Sequence, residues 1–173
     1  MPNISSEPIL RPWQEGDEEG LVRVAHNPRV ARNLRNRFPH PYQVSDAAFW
    51  IANANTQPAD AVHWAIIVEK EIAGGIGFER LSDTHGRTAE IGYWIGEEYW
   101  GRGLATQALK RASHYAWQDF DFMRIEALVL GRNIASQRVL EKAGYTLEAR
   151  HLKRSFKNDE FSDELMYAFI RKT

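Results

Sequence analysis

Apolar and polar positions follow one another along this chain in an order that predicts its elements. Ile9-Leu10-Arg11-Pro12-Trp13 reads as a short first strand, and an acid-started helix follows from about Asp17 to Ala25. Asn27-Pro28 begins another short helical piece, and Ser45-Asp46 reads as the cap of a helix running through Phe49, Trp50 and Ile51 to about Asn53. The apolar runs Ala61 to Val68 and Ile72 to Leu81 predict two strands, with Glu69-Lys70-Glu71 as their hairpin turn. Within the second run, Gly74, Gly75 and Gly77 mark a bulge or a close backbone approach. Ala89 to Ile95 is the next strand. Beyond it, Ala105, Ala108, Leu109, Ala112, Tyr115 and Ala116 keep helical spacing. Ile125 to Leu130 is strand-like and closes at Gly131-Arg132, and a helix from Ile134 to Ala143 has Asn133 as cap and Gly144 as stop. Two last strands, about Tyr145 to Leu152 and Phe161 to Ile170, join through Lys157-Asn158-Asp159. This plan describes a mixed α/β domain with mostly antiparallel hairpins and a few crossover helices. No repeat, low-complexity segment or linker interrupts it, so residues 1–173 read as a single domain.

Composition narrows the function classes. At 173 residues with 43% hydrophobic content, the chain can bury a sizeable core. A net charge of -1 offers no bulk attraction to DNA or to an anionic membrane. The absence of cysteine removes disulfides, cysteine nucleophiles and thiolate metal sites together, and fits a reducing, cytoplasmic setting. Met1 to Pro8 has neither a basic start nor an apolar run, so no secretion signal is expected. No uncharged apolar run approaches the ~20 residues that span a bilayer.

The most informative stretch runs from Tyr93 to Thr106. Tyr93, Trp94 and Ile95 end an aromatic-rich strand, and Trp100-Gly101-Arg102-Gly103 turns tightly into the helix that Leu104, Ala105 and Thr106 begin. Two glycines let main-chain N–H groups approach a ligand closely, and the free amides of a helix's first turn aim at the same spot. With the positive end of the helix dipole behind them, they form an anion site suited to phosphate. A P-loop requires Gly-x-x-x-x-Gly-Lys-Ser/Thr, which is absent. A dinucleotide fingerprint requires a third glycine where Thr106 stands, and repeated parallel βαβ units. Arg132, at the end of the next strand, is the residue that would meet a ribose phosphate in that reading. The plain alternative is a strand-to-helix connection with no ligand.

Three blocks add to this turn: Glu90-Ile91-Gly92-Tyr93-Trp94-Ile95, Tyr99 through Leu109, and Asn133-Ile134-Ala135-Ser136 through Gly144-Tyr145. Together they resemble the GNAT superfamily of N-acetyltransferases, and within it the RimJ/RimL branch. The resemblance covers nearly the whole chain. The superfamily turn is Gln/Arg-x-x-Gly-x-Gly/Ala; here Trp100 takes the first place, while Gly103 and Ala105 match the others. The resemblance implies the GNAT fold: a central, mostly antiparallel sheet of six to seven strands, splayed between strands 4 and 5 and flanked by about four helices. It implies acetyl-CoA as the acetyl donor and no metal. Its pyrophosphate would lie on the amides of Gly101 to Thr106, with Arg102 near a phosphate, and its pantetheine arm would add beside Tyr93, Trp94 and Ile95. The implied partner is an amine acceptor that attacks the thioester directly in a ternary complex, and homodimers are common in the family.

Acetyl transfer needs a neutral amine, close approach, a stabilised oxyanion and a proton for the leaving thiolate. An N–H near Ile95 is the expected oxyanion donor, a contact worth ~3 kcal/mol. An α-amine with a pKa near ~8 is about a tenth neutral at pH 7, a cost of ~1.4 kcal/mol; a lysine-like amine near ~10.4 costs ~4.6 kcal/mol and needs a real base. Glu90 is the carboxylate best placed by sequence, with strand alternation putting it beside Gly92 and Trp94; Glu79 and His151 are weaker candidates. The resemblance places Asn133 at the cofactor and Ser136 at the leaving sulfur, by a hydrogen bond or a water relay. Against that, Asn133 caps a helix and Ser136 fills its first turn. Tyr145 reads as core. Arg29, Arg32, Arg35 and Arg37, with Phe38, His40 and Tyr42, border the acceptor side in this superfamily or form a solvated face. Trp50, Trp64, Trp94 and Trp100 are candidates to wall the cleft. Two functions follow: an enzyme acting on a protein N-terminal amine or a small amine, or a non-catalytic acetyl-CoA sensor.

Overall fold

The computed structural model describes residues 7–172, so the expectation drawn from the extreme N-terminus lies largely outside the described residues. Seven strands form one sheet: β1 (Ile9–Pro12), β2 (Ala61–Val68), β3 (Glu71–Arg80), β4 (Thr88–Ile95), β5 (Arg124–Leu130), β6 (Thr146–Lys157) and β7 (Glu160–Ile170). Their spatial order is β1-β2-β3-β4-β5-β7-β6, antiparallel everywhere except between β4 and β5. Five helices accompany them: α1 (Glu18–Ala25), α2 (Pro28–Ala31), α3 (Val44–Ala54), α4 (Leu104–Asp119) and α5 (Ile134–Ala143). The shortest is α2, the helical piece expected from Asn27-Pro28, a single turn that Asn27 caps by accepting from the Arg29 N–H.

The hairpins form for local reasons. Glu69 and Lys70 both take positive φ, as do Asn158 and Asp159, which is the two-residue turn that matches strand twist. The glycines of β3 mark close approach. A Cβ on Gly74 would fall 2.1 Å from the Trp94 carbonyl oxygen, and one on Gly77 would fall 2.3 Å from His63 Nδ1. The bulge itself sits at Ala73, where the β2–β3 register shifts by one.

Several boundaries differ from expectation. α3 begins at Val44, with Gln43 rather than Ser45 as its cap, because the Asp46 carboxylate reaches back to the Gln43 N–H at 2.8 Å. β6 continues to Lys157, past an irregularity near Lys153. On α4 the buried face is Leu104, Ala108, Leu109, Ala112, Ser113 and Ala116. Tyr115 is 40% exposed and Ala105 half-buried, so neither belongs to that face. Ser113 takes a core place because its hydroxyl bonds the Leu109 carbonyl and the buried Tyr145 hydroxyl, both at 2.7 Å. Tyr145 is a core residue as read. No helix among the described residues is long and apolar enough to cross a membrane.

Candidate active site

The site begins where two parallel strands part. β4 and β5 pair only over Thr88–Glu90 and Arg124–Glu126. Beyond that point β4 stays with β3 as far as Ile95, and β5 stays with β7 as far as Leu130. The wedge between them leaves roughly 15 Å of strand edge unpaired on β4. Ladder phase decides which groups face it. Gly96 N–H donates to the Ala73 carbonyl and Leu81 N–H to that of Thr88, so even-numbered residues of β4 bond β3. The N–H and C=O of Ile91, Tyr93 and Ile95 therefore point into the wedge. One of them is already bonded: the Trp100 indole N–H donates to the Ile95 carbonyl at 2.8 Å, which closes the turn after the strand.

The wedge opens into a cleft of about 650 Å³. Ile91, Gly92, Tyr93 and Trp94 line one side and Ala127, Leu128 and Val129 the other, with Asn133, Ser136 and Leu140 of α5 across from them. Glu79 and Glu90 line it too, together with His63, Trp50, Asp46 and the loop residues Arg35, Arg37 and Phe38. His151 is on β6, away from this lining, and Trp64 packs on the other face of the sheet against Phe78 and Tyr115. Trp100 is likewise absent from the lining. Trp50 and Trp94 are the tryptophans that wall the cleft.

The expected anion turn lies past the end of β4. Gly101 and Gly103 both hold φ +74, a left-handed conformation that glycine adopts without strain, and no neighbour crowds either one. The first α4 hydrogen bond runs from the Gln107 N–H to the Gly103 carbonyl, so the amides of Leu104, Ala105 and Thr106 precede the helical ladder. Arg102 lies 3.3 Å from Glu69 and over the Tyr99 ring. That exposed pair is weak enough for Arg102 to exchange it for a phosphate. Arg29 pairs with Glu97 and packs over Trp100, so it supports the turn rather than standing free in solvent.

Side chains meet in three pairs. The Tyr93 hydroxyl lies 2.8 Å from Ser136 Oγ and donates or accepts there, with the Ser136 carbonyl at 3.2 Å. Burial pushes the Tyr93 phenol well above its ordinary range, against the lowering effect of the Ser136 contact, so it stays protonated. Asn133 is a helix cap, its Oδ1 accepting from the Ser136 N–H at 3.2 Å, while it also lines the cleft. Glu90 is bound by Arg35, and His63 Nε2 lies 3.3 Å from Glu79 Oε1. Burial pushes the His63 imidazole below 6.5; Glu79 opposes this and Arg37 adds to it. Neither His63 nor the Tyr93–Ser136 pair was identified from the sequence. The period-2 pattern of β2 alone could have placed His63 on the face that Ala65 shares.

The profile of the acetyltransferase (GNAT) domain family matches residues 8–146. An uncharacterised N-acetyltransferase, YoaA, of Bacillus subtilis (strain 168) is 28% identical over 165 residues, covering 94% of this chain and 93% of YoaA. The ribosomal-protein-serine acetyltransferase of Escherichia coli (strain K12) is 34% identical over 105 residues, covering 61% of this chain and 58% of that protein. Among solved structures, RimL, a ribosomal L7/L12 alpha-N-protein acetyltransferase in complex with coenzyme A, superposes with a TM-score of 0.84 at 24% identity. It covers 96% of both chains and bears out the expected fold, including the splay between the fourth and fifth strands.

Proposed function

The chain belongs to the GNAT acetyltransferase family as an acetyl-CoA-dependent N-acetyltransferase, and from that premise we propose that its acceptor is a peptide N-terminal α-amine. The observation that carries the reading is the β4–β5 wedge, whose unpaired Ile91, Tyr93 and Ile95 backbone groups meet the twin-glycine turn at one end. A pantetheine arm has amide groups of its own and can bond that edge as an added strand would. The diphosphate then reaches the amides of residues 101–106, with Arg102 beside it. The similarity to a ribosomal-protein-serine acetyltransferase supports a peptide acceptor over a small amine.

The transfer draws on this chain's groups in order. The cleft holds the amine against the thioester carbonyl, and the N–H groups at the Tyr93–Ile95 end of β4 stabilise the oxyanion. The Tyr93 hydroxyl keeps its proton and donates a hydrogen bond to Ser136 Oγ, which leaves the serine O–H free to face the departing sulfur. Glu90 is a candidate base, but Arg35 must release its carboxylate first. The deciding experiment is acetyl-CoA consumption with serine-initiated peptides, free amino acids, spermidine and an aminoglycoside side by side. Turnover of the peptides above the rest is expected; turnover of a small amine alone would transfer the assignment to that amine. Ser136→Ala should lower kcat about tenfold or more with the KM for acetyl-CoA unchanged, and unchanged kcat removes Ser136 from the mechanism. Glu90→Gln should leave the acid limb of the rate–pH curve in place if Glu90 only anchors Arg35, and should shift it if Glu90 is the base.

A further inference from the structure

We propose that His63 is a general base for the acceptor amine, held by Glu79 over a glycine floor beside the wedge. The inference rests on the acetyl-transfer reading above and assigns a catalytic role to a residue outside the familiar motif blocks.

The placement comes from register. His63 on β2 sits opposite Gly77 on β3, which sits opposite Gly92 on β4, so the three share one row across one face of the sheet. The imidazole lies over Gly77: a Cβ there would collide with Nδ1 at 2.3 Å. Next along the row, a Cβ on Gly92 would meet nothing within 4 Å, so the floor of the cleft is open between the imidazole and the wedge. Gly92 borders the run of β4 whose backbone faces the wedge, and all three residues line the same cleft. An amine lying over Gly92 has His63 on one side and the thioester on the other.

Its neighbours set how the ring works. Trp50 of α3 meets it edge-on with ring centroids 5.2 Å apart, which fixes its plane. With Nε2 at 3.3 Å from Glu79 Oε1, the neutral ring carries its N–H on Nε2 toward the carboxylate and its lone pair on Nδ1. The charged groups around it are Glu79 on β3, Asp46 on α3, Arg35 and Arg37 in the loop after α2, and Glu90 on β4. Asp46 is occupied by the Gln43 N–H and Glu90 by Arg35, whereas no ion pair engages Arg37 among the described residues. Burial and Arg37 keep the imidazole neutral at the pH where an ammonium ion must lose its proton.

The proton balance is simple. The incoming ammonium gives one proton to Nδ1, and the imidazolium, paired with half-exposed Glu79, passes it to solvent. The neutral nitrogen then attacks and the C–N bond forms; the proton that must leave the nitrogen passes to Nδ1 of the regenerated imidazole and on to solvent, the C–S bond breaks, and Ser136 delivers its proton to sulfur and is reprotonated from solvent.

The test is the pH dependence of kcat/KM at saturating acetyl-CoA, with whichever amine of the panel above turns over fastest. His63→Gln should lower kcat/KM about 100-fold near neutrality and abolish the acid limb. Glu79→Gln should move that limb to lower pH, and Arg37→Met should move it to higher pH, a pair of opposite shifts that loss of packing does not produce. The NMR titration of the His63 ring in the free enzyme should show the same two displacements, which keeps the test valid if His63→Gln fails to fold. A His63→Gln variant with a wild-type rate and limb, or limbs unmoved in both neighbouring variants, overturns the proposal. A wild-type enzyme inactive on every amine overturns the acetyl-transfer reading instead.

Discussion

The Trp100 indole gives its one donor to the Ile95 carbonyl, and that contact gives a structural role to a tryptophan where the family usually has glutamine or arginine. The Ile95 carbonyl would otherwise face the wedge, next to the N–H expected to hold the oxyanion. Trp100→Phe should cost about 1 kcal/mol of stability and weaken acetyl-CoA binding severalfold, read by urea unfolding and by calorimetry. The same scale governs pH behaviour. His63 has a folded-state pKa below its unfolded value of 6.5, so the unfolded chain takes up a proton first as pH falls. Stability at this residue is complete above 6.5 and is lost as pH drops below it, down to the folded pKa. Urea midpoints should fall between pH 7.5 and 5.5, and by less in His63→Gln. The sequence reading placed Glu90 and Ser136 at the site but could not show their partners. Arg35 lies 55 positions from Glu90, and Tyr93 lies 43 from Ser136, beyond the reach of any local rule.

Elements were more legible than pairs. Asn133 and Gly144 bound α5 as read, because a cap and a left-handed stop are decided by residues within one turn. Asn133→Ala should lower stability by about 1 kcal/mol, visible as a reduced Tm, whether or not Asn133 also touches the cofactor. The twin-glycine turn was equally plain. Gly103 precedes α4 at φ +74, where a side chain costs roughly 1–2 kcal/mol. Gly103→Ala should therefore weaken both folding and acetyl-CoA affinity, while a surface change such as Lys110→Ala should do neither. Legibility failed where tertiary packing overrode pattern. Tyr115 keeps helical spacing with the core but turns its ring to the sheet surface against Trp64, and Ser113 goes inside because Tyr145 completes its hydrogen bonds.

At the scale of the molecule, the seven-stranded sheet is built around an interruption. β4 and β5 share only three residue pairs, and each continues with its own antiparallel neighbour. A ligand that bonds both the wedge and the turn binds the folded chain alone, so acetyl-CoA at one hundred times its Kd should add about 2.7 kcal/mol of stability. A Tm unmoved by millimolar acetyl-CoA would contradict the assignment. The amino-acid sequence by itself determined the order of elements, the glycine turn and the helix caps, since these depend on residues a few positions apart. Tertiary structure alone decided what faces the cleft. The bulge at Ala73 shows why: without that shift of one position, His63 would sit opposite Ile76, and Glu79 would fall on the opposite face. A single inserted residue, silent in the hydrophobic pattern, is what brings that imidazole and that carboxylate together.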